Sequence, residues 1–308
     1  MTRKKTTLVP ILGDQLTTDI ASLRDCDPGT TIVLMMEADE ETTYVRHHKR
    51  KIAYILSAMR HHAEALREAG WTVEYTTLDD PDNAGSFTGE IARAVERHDP
   101  ERIVVTEGGE WRVMAMLESW ETLFGIPVEI RSDDRFLASH ADFETWAAER
   151  KSLTMEWFYR QMRTRTGLLM TDGKPEGDRW NFDKENRKPA KNDLLMPRPL
   201  VFEPDAITKN VLALVAERFA DHPGSLDGFE YAVTAKDAER QAANFFKHAL
   251  AQFGDYEDAM LTGERHLWHS ILSPYINSGL LDPLHLCRRD IPPPRAGTGG
   301  ADRAAPHR

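Results

Sequence analysis

The sequence predicts an α/β fold, with an N-terminal open parallel α/β sheet domain followed by an incomplete all-helical domain. Strand-like and helix-like segments alternate over about the first 135 residues, and only helical patterns follow residue 208. Between them, residues 166–208 are rich in Gly, Pro, Asn and charged residues, which is typical of a linker. We therefore place an α/β domain at 1–135, a helical connection and linker at 136–207, and a partial helical domain at 208–289.

Five short runs of β-branched and apolar residues predict the strands, because strands covered on both faces are nearly continuous in apolar residues. They lie at 7–12, 31–37, 72–77, 102–106 and 128–131. Apolar residues at helical spacing predict the helices. These lie at 44–69, 86–98, 111–124, 140–150, 154–165, 209–220, 235–253, 258–261 and 271–281.

Composition excludes several classes of protein. Hydrophobic residues make up 41% of the chain and charged residues 29%, as in globular proteins, and no window approaches the roughly 18–20 apolar residues of a membrane span. The apolar run near the start is too short for a signal peptide, so we expect a cytoplasmic protein. The two cysteines, Cys26 and Cys287, exclude a disulfide framework and a four-cysteine metal site built from this chain alone. The net charge of −11 argues against a wholly basic nucleic-acid coat.

Polar residues follow the predicted strands at the edge where open parallel sheets bind ligands. Gly13, Asp14 and Gln15 follow the first strand, and Glu37 ends the second. The chain has neither GxGxxG nor GxxxxGK[ST], so no usual phosphate cradle is indicated. An acidic rim favours a neutral, donor-rich heterocycle or a ribityl chain over a nucleoside triphosphate. Equally, Asp14 and Glu37 could simply cap helices or loops.

Two adjacent histidine pairs, His47-His48 and His61-His62, invite a metal hypothesis. Neighbouring residues on a helix point about 100° apart and share a site poorly, so we interpret them as solvated or stacking histidines and predict no metal site.

Basic and aromatic residues interleave between residues 156 and 191, a stretch that contains nine Lys/Arg and six Asp/Glu. Such a stretch could contact phosphates and stack on bases, or its aromatic residues could be packing anchors between domains.

A last candidate segment precedes the predicted helix at 271–281. Ser270 and Ser273 lie one helical turn apart, and Gly279 would stop the helix. Hydroxyl groups at a helix start suit an anion site, but they equally suit an ordinary N-cap.

Together these segments resemble the photolyase/cryptochrome family, in particular the bacterial iron–sulfur photolyases that repair (6-4) photoproducts, known as deoxyribodipyrimidine photolyase-related proteins. Motifs spread in order along the chain carry the resemblance. They are ILGDQL (11–16), YVRHHKRK (44–51), DNAGSFTG (82–89), TEGGEWR (106–112), RKSLTMEWFYR (150–160), TGLLM (166–170), RWNFDKENR (179–187) and the stretch 270–281.

The resemblance implies two cofactors and a partner. A 6,7-dimethyl-8-ribityllumazine antenna would bind the α/β domain at Leu12, Gly13, Asp14, Gln15, Glu37, Glu41 and Tyr44. FAD would bind the helical domain, touching His269, Ser270, Leu272 and Ser273. Light-excited, reduced FAD would then donate an electron to a pyrimidine lesion flipped out of damaged DNA. No catalytic residue is assigned.

The sequence also departs from the family. Family chains continue into further helices that supply most of the FAD pocket and four cysteines for an iron–sulfur cluster. We therefore expect a C-terminally truncated monomer with an incomplete FAD pocket, no cluster, impaired repair and a disordered tail at 290–308. The alternative is a non-catalytic chromophore-binding photosensor, or cryptochrome-like module. A plain nucleotide-binding α/β protein is disfavoured by the missing phosphate loops.

Overall fold

The computed structural model describes residues 6–190 and 196–289, which divide into two compact units. The sheet unit comprises residues 6–134, 201–237 and 277–280. The helical unit comprises residues 135–190, 196–200, 238–276 and 281–289. The disordered tail predicted at 290–308 lies outside the described residues.

The sheet unit is built on a five-stranded parallel sheet, which confirms the predicted α/β class. Its strands are β1 (Thr7–Pro10), β2 (Thr31–Met36), β3 (Thr72–Thr76), β4 (Arg102–Thr106) and β5 (Val128–Arg131). They run in the order β3-β2-β1-β4-β5, and Thr7 of β1 pairs with both Thr31 and Arg102. The strand order therefore reverses at β1, and a crevice for ligands is expected at its carboxyl end.

The α-helices of the described residues lie between and after these strands. In chain order they are α1 (Asp39–Thr43), α2 (Lys49–Glu68), α3 (Phe87–His98), α4 (Trp111–Phe124), α5 (His140–Ala148), α6 (Met155–Thr166), α7 (Ala206–Arg218), α8 (Ala235–His248), α9 (Leu250–Tyr256), α10 (Ser273–Ser278) and α11 (Pro283–Arg289). A small hairpin, β6 (Met170–Thr171) and β7 (Lys174–Pro175), lies in the predicted linker. Within residues 6–190 and 196–289, no helix combines the length and apolar character needed to cross a membrane.

The structure corrects four helix predictions. The helix predicted from 44 begins only at Lys49, because His48 is extended and accepts a hydrogen bond from the N–H of Arg50. The helix predicted at 235–253 is two helices, broken where Ala249 leaves helical geometry. Residues 258–261 form turns and irregular chain instead of a helix. The helix predicted from 271 begins at Ser273, since Ile271 has a φ of 47°, in the left-handed region.

The main core of the sheet unit packs α3 and α4 against one face of the sheet. Leu8, Ile103 and Val105 of the strands meet Ile91 of α3 and Leu117 of α4, all fully buried. The amphipathic spacing of α4 places Leu117 in this core and Leu123, 59% exposed, on the outer face.

We expect Leu117→Ala to lower the free energy of unfolding by about 2–5 kcal/mol, because it removes a fully buried side chain and leaves a cavity. The same substitution at Leu123, on the exposed face of α4, should cost within about 0.5 kcal/mol. Urea unfolding of the two variants measures the difference, and equal losses would contradict the packing described for α4.

Candidate functional site

A cleft of about 210 Å³ opens at the carboxyl end of β1, where the strand order reverses. Its walls come from the ends of β1 and β2, the segment that joins β2 to α2, the first turns of α2, and the loop that leads into α4. They include Leu12, Gly13, Asp14, Met36, Glu37, Ala38, Glu41, Thr42, Tyr44, His47, Lys51, Ile52, Ile55, Leu56, Met59, Phe87, Gly109, Glu110 and Val113.

The floor of the cleft depends on close approach between Gly13 and α2. A Cβ atom at position 13 would lie 3.0 Å from Ile55 Cγ2 and 3.2 Å from Met59 Sδ. The bare backbone therefore lets α2 pack directly against the end of β1. Opposite, a Cβ atom at Gly109 would lie 3.4 Å from Asp14 Oδ2, so the Asp14 carboxylate lies beside the loop that precedes α4.

Gln15 joins the two strand ends that flank the cleft. Its side chain is fully buried, and its Oε1 accepts a hydrogen bond from the backbone N–H of Leu12 at 3.2 Å. Its Nε2 donates to the carbonyl oxygens of Thr106 and Glu107, at 3.1 Å each. Both the oxygen and the nitrogen of the Gln15 amide therefore bind backbone groups. Gln15 does not line the cleft but stabilises the strand ends that do.

Glu37 carries a buried carboxylate held by four donors. Arg60 donates from Nε at 2.7 Å and from Nη2 at 3.0 Å, and the Tyr75 hydroxyl and the Leu78 N–H each donate at 2.8 Å. The side chain of Glu37 is 0% exposed and that of Arg60 is 13% exposed. Glu37 thus ties the end of β2 to α2, β3 and the chain after β3.

This network also perturbs its partners. Burial opposes the charge of Arg60, but the hydrogen bonds and negative charge of Glu37 raise the pKa of Arg60 overall. Burial, together with the neighbouring charge of Glu37, raises the pKa of Tyr75 well above its ordinary value. Arg60 therefore stays charged and Tyr75 stays a phenol donor at neutral pH.

Glu41, Tyr44 and His47 form the rim, and Arg112 of α4 contacts Glu41 and Tyr44 from outside the cleft lining. Arg112 donates from Nη1 and Nη2 to the two carboxylate oxygens of Glu41, at 2.6 and 2.8 Å. The guanidinium lies 4.6 Å from the centroid of the Tyr44 ring, whose edge meets His47 with centroids 5.1 Å apart. Burial, aided by the positive charge of Lys51, lowers the pKa of His47, so its ring is neutral at pH 7.

The four residues for which the resemblance implies FAD contact lie together in the helical unit. His269 Nε2 is 3.1 Å from the carbonyl oxygen of Tyr256, and the Ser270 hydroxyl accepts the Leu272 N–H at 3.5 Å. Leu272 is buried, whereas Ser273 is exposed at the first position of α10. Their contact with flavin stays a prediction.

The histidine pairs are used for packing and capping. His48 caps α2, and His61 bridges the carbonyl oxygen of Ser57 at 2.7 Å and Asp205 Oδ2 at 2.8 Å. His62 is buried, and its Nε2 has no hydrogen-bond partner. Across residues 6–190 and 196–289, no three His, Cys, Asp or Glu side chains gather in a group that could hold a metal ion.

The basic and aromatic stretch packs on itself within the helical unit. Arg160 lies 4.6 Å from the Trp157 ring centroid and 5.2 Å from that of Trp180. Arg163 is 7% exposed and donates to the carbonyl oxygens of Leu168 and Trp180. These contacts pack Arg160 and Arg163 locally, so nucleic-acid contact and anchoring between domains both stay predictions for this stretch.

Comparison with known proteins identifies the family. A sequence model for the deoxyribodipyrimidine photo-lyase-related proteins matches residues 9–231, which is more than half of the chain. The chain belongs to this family. It is 54% identical over 281 residues to a (6-4) photolyase from Agrobacterium fabrum, in a match that covers 91% of this chain and 55% of that protein.

The fold of this photolyase-related protein also has a solved counterpart. It is similar to the crystal structure of a bacterial class III photolyase from Agrobacterium tumefaciens, with a TM-score of 0.52 and 13% identity. The match covers 93% of this chain and 53% of that one. At this identity the likeness shows the fold alone, and the chain spans about half the length of both proteins.

The structure adds residues to the cleft that the sequence analysis did not single out. Ile55 and Met59 lie four positions apart on α2 and face the cleft together, which the helical period of α2 could have indicated. Arg112 does not itself line the cleft but binds Glu41, which does, and it ends the motif at 106–112 after β4. The rule that polar residues after parallel strands share one sheet edge could have found it.

We expect Glu37→Gln to destabilise the protein by about 3–5 kcal/mol, because it leaves the buried Arg60 charge without its counter-ion. Glu64→Gln is the matched control, since Glu64 pairs with Arg67 at the surface and is 55% exposed. It should cost at most about 1 kcal/mol. Chemical denaturation at pH 7 compares the two, and a loss at Glu37 no larger than at Glu64 would contradict the role described for it.

The burial of His62 predicts a pH dependence of stability. Burial lowers its pKa to about 4, whereas a histidine in the unfolded chain has a pKa of about 6.5. As pH falls from about 6.5 to 4, His62 binds a proton in the unfolded state but stays neutral in the folded state. The free energy of unfolding therefore falls by about 3 kcal/mol. Urea midpoints across this range should fall less steeply for His62→Gln. The exposed His248 provides the control, since His248→Gln should keep the full slope.

Proposed function

We propose that the cleft at the end of β1 binds an uncharged, unphosphorylated chromophore of the lumazine class, 6,7-dimethyl-8-ribityllumazine, as a light-harvesting antenna. The observation that carries the proposal is the combination of apolar walls and an acidic rim in one cleft. An antenna absorbs light and passes its excitation to a second chromophore, which we propose is FAD.

The walls suit the flat ring system of such a ligand. Leu12, Met36, Ile55, Met59 and Phe87 offer apolar and polarisable surface, and methionine adapts well to aromatic ligands. Asp14 and Lys51 offer an acceptor and a donor for hydroxyl groups of a ribityl chain. The residues present therefore fit the ring and the chain of a lumazine.

The charges around the cleft disfavour a phosphate group. The lining residues contribute the carboxylates of Asp14, Glu37, Glu41 and Glu110, against the single ammonium group of Lys51. The nearby guanidinium groups of Arg60 and Arg112 are each already bound to a carboxylate. A phosphate would meet net repulsion, so a ribityl chain that ends in a hydroxyl group is the better ligand.

We further propose that the full activity of this photolyase-related protein is light-driven, FAD-dependent repair of UV-induced pyrimidine lesions in damaged DNA. Family membership and 54% identity to a (6-4) photolyase support this activity. His269, Ser270, Leu272 and Ser273 would contact the flavin, as the family resemblance implies. We also propose that the protein is a monomer and that it is located in the cytoplasm.

Asp14→Asn should weaken lumazine binding at least about tenfold, because a hydrogen bond to a charged group contributes about 1.5–3 kcal/mol. Asp19→Asn is the control, since Asp19 lies in the same loop region, is 82% exposed and does not line the cleft. Titration of the purified chain with 6,7-dimethyl-8-ribityllumazine, followed by the change in lumazine fluorescence, measures both affinities.

The same titration separates the competing functions. Riboflavin should compete with lumazine at least about tenfold better than FMN, which differs by one phosphate. Equal competition by FMN, or no binding of lumazine, would contradict the proposed ligand. Bound lumazine in a preparation that neither loads FAD nor repairs lesion-containing DNA under light would favour the photosensor alternative.

A further inference from the structure

One wall of the cleft is a short strap, residues 38–48, which joins β2 to α2 and includes α1. Five of its residues line the cleft: Ala38, Glu41, Thr42, Tyr44 and His47. Tyr44 both lines the cleft and is 46% exposed, so the strap lies at the boundary between the cleft and solvent. The position of the strap therefore controls how open the cleft is.

On the side away from the cleft, the strap is fixed to residues 218–224. Arg218 Nη2 donates to Asp39 Oδ2 at 2.6 Å, and His222 Nδ1 lies 3.0 Å from the carbonyl oxygen of His47. The ring of His48 packs directly against the backbone of Gly224, where a Cβ atom would lie 1.9 Å from His48 Nε2. This side of the strap has several independent attachments and should stay in place.

The strap has a further attachment to Arg112, in the first turn of α4. Its two Nη atoms donate to both carboxylate oxygens of Glu41, and its guanidinium stacks over the ring of Tyr44. A planar guanidinium matches a carboxylate in this two-bond geometry and stacks on an aromatic ring, whereas lysine cannot do both. Arg112 thus holds the two rim residues that we propose contact the chromophore.

We propose that Arg112 is a positioning residue that holds the strap closed and sets the rate at which the bound chromophore leaves. The inference rests on the proposed function of the cleft. Both Nη atoms of Arg112 bind Glu41, and Nη2 also lies 3.4 Å from Glu110 Oε2, so Arg112 acts through these carboxylates and the Tyr44 ring. A contact that must break before a ligand leaves affects dissociation more than association.

Stopped-flow measurement of lumazine binding to the full chain tests the proposal. Arg112→Gln should speed dissociation about five- to twentyfold and change association less than about twofold, as for a contact worth roughly 1–2 kcal/mol. Arg112→Lys, which keeps the charge, should give an intermediate dissociation rate, and it remains informative if the glutamine variant folds poorly. Arg97→Gln is the control, because Arg97 forms a similar surface pair with Glu74 at 2.6 Å. It should leave both rates unchanged.

Two measurements distinguish the loss of the Arg112–Glu41 contact from a general destabilisation of the protein. Glu41→Gln should also speed dissociation, and the double variant should be no faster than Arg112→Gln alone, because Arg112→Gln already breaks the contact with Glu41. Raising the salt from about 0.05 to about 0.5 M should speed dissociation from the wild type by screening the ion pair, and it should have little effect on Arg112→Gln. Wild-type dissociation rates in both Arg112 variants would overturn the proposal.

Amide hydrogen exchange in the ligand-free protein separates this inference from the proposed function. Exchange across residues 39–48 should be faster in Arg112→Gln than in the wild type or in Arg97→Gln. If the wild type binds no lumazine but this exchange difference appears, the proposed ligand is wrong while the Arg112 tie is supported. If lumazine binds and neither exchange nor dissociation changes in Arg112→Gln, the cleft function stands and the role of Arg112 is wrong.

Discussion

The buried carboxylate of Glu37 is the contact on which the cleft of this photolyase-related protein depends. A carboxylate loses several kcal/mol of hydration on burial, and only close, complete pairing offsets that cost. Arg60, Tyr75 and the Leu78 N–H supply that pairing from three different parts of the chain. The backbone oxygen of Glu37 also accepts a hydrogen bond from Asn83 at 2.7 Å. Charge pairing at one residue therefore fixes the edge of the sheet from which the cleft is built.

The helix α2 connects this edge of the sheet to the floor of the cleft and to α7. Arg60 binds α2 to Glu37, and this contact fixes the position of α2 along the sheet edge, where Ile55 and Met59 pack against Gly13. His61, one residue beyond Arg60, reaches Asp205 at the start of α7. The hydrogen bonds of Asp205, which outweigh its partial burial, lower its pKa to about 2, so its cap of α7 persists across the physiological range. Thus α2 links the floor of the cleft to α7, whose last residue, Arg218, binds the strap.

The sequence predicted local features well because they depend on local patterns. The sequence predicts the strand at 102–106 and the helix at 111–124 with the bounds that the structure has, since their apolar spacing is unambiguous. Features that depend on distant partners were not accessible. Glu37 stood out as an acceptor after a strand, but its pairing with Arg60 joins residues of different elements and leaves no local signature. The Arg112–Glu41 pair was missed for the same reason, although both residues follow strands of one sheet. The break at Ala249 and the late start of α10 reflect single backbone angles, to which apolar spacing is insensitive.

The contact between His48 and Gly224 has an evolutionary consequence. Gly224 has a φ of 89°, which side-chain-bearing residues rarely adopt, and the imidazole occupies the space that a side chain at 224 would need. The residue types allowed at positions 48 and 224 therefore depend on each other, although the two positions are far apart in the sequence. A lineage that exchanged the glycine would have to shrink the histidine and re-form the backbone turn at the same time. Single substitutions at 224 should accordingly be rare in an alignment of relatives, and paired changes should mark groups in which the strap takes a different path.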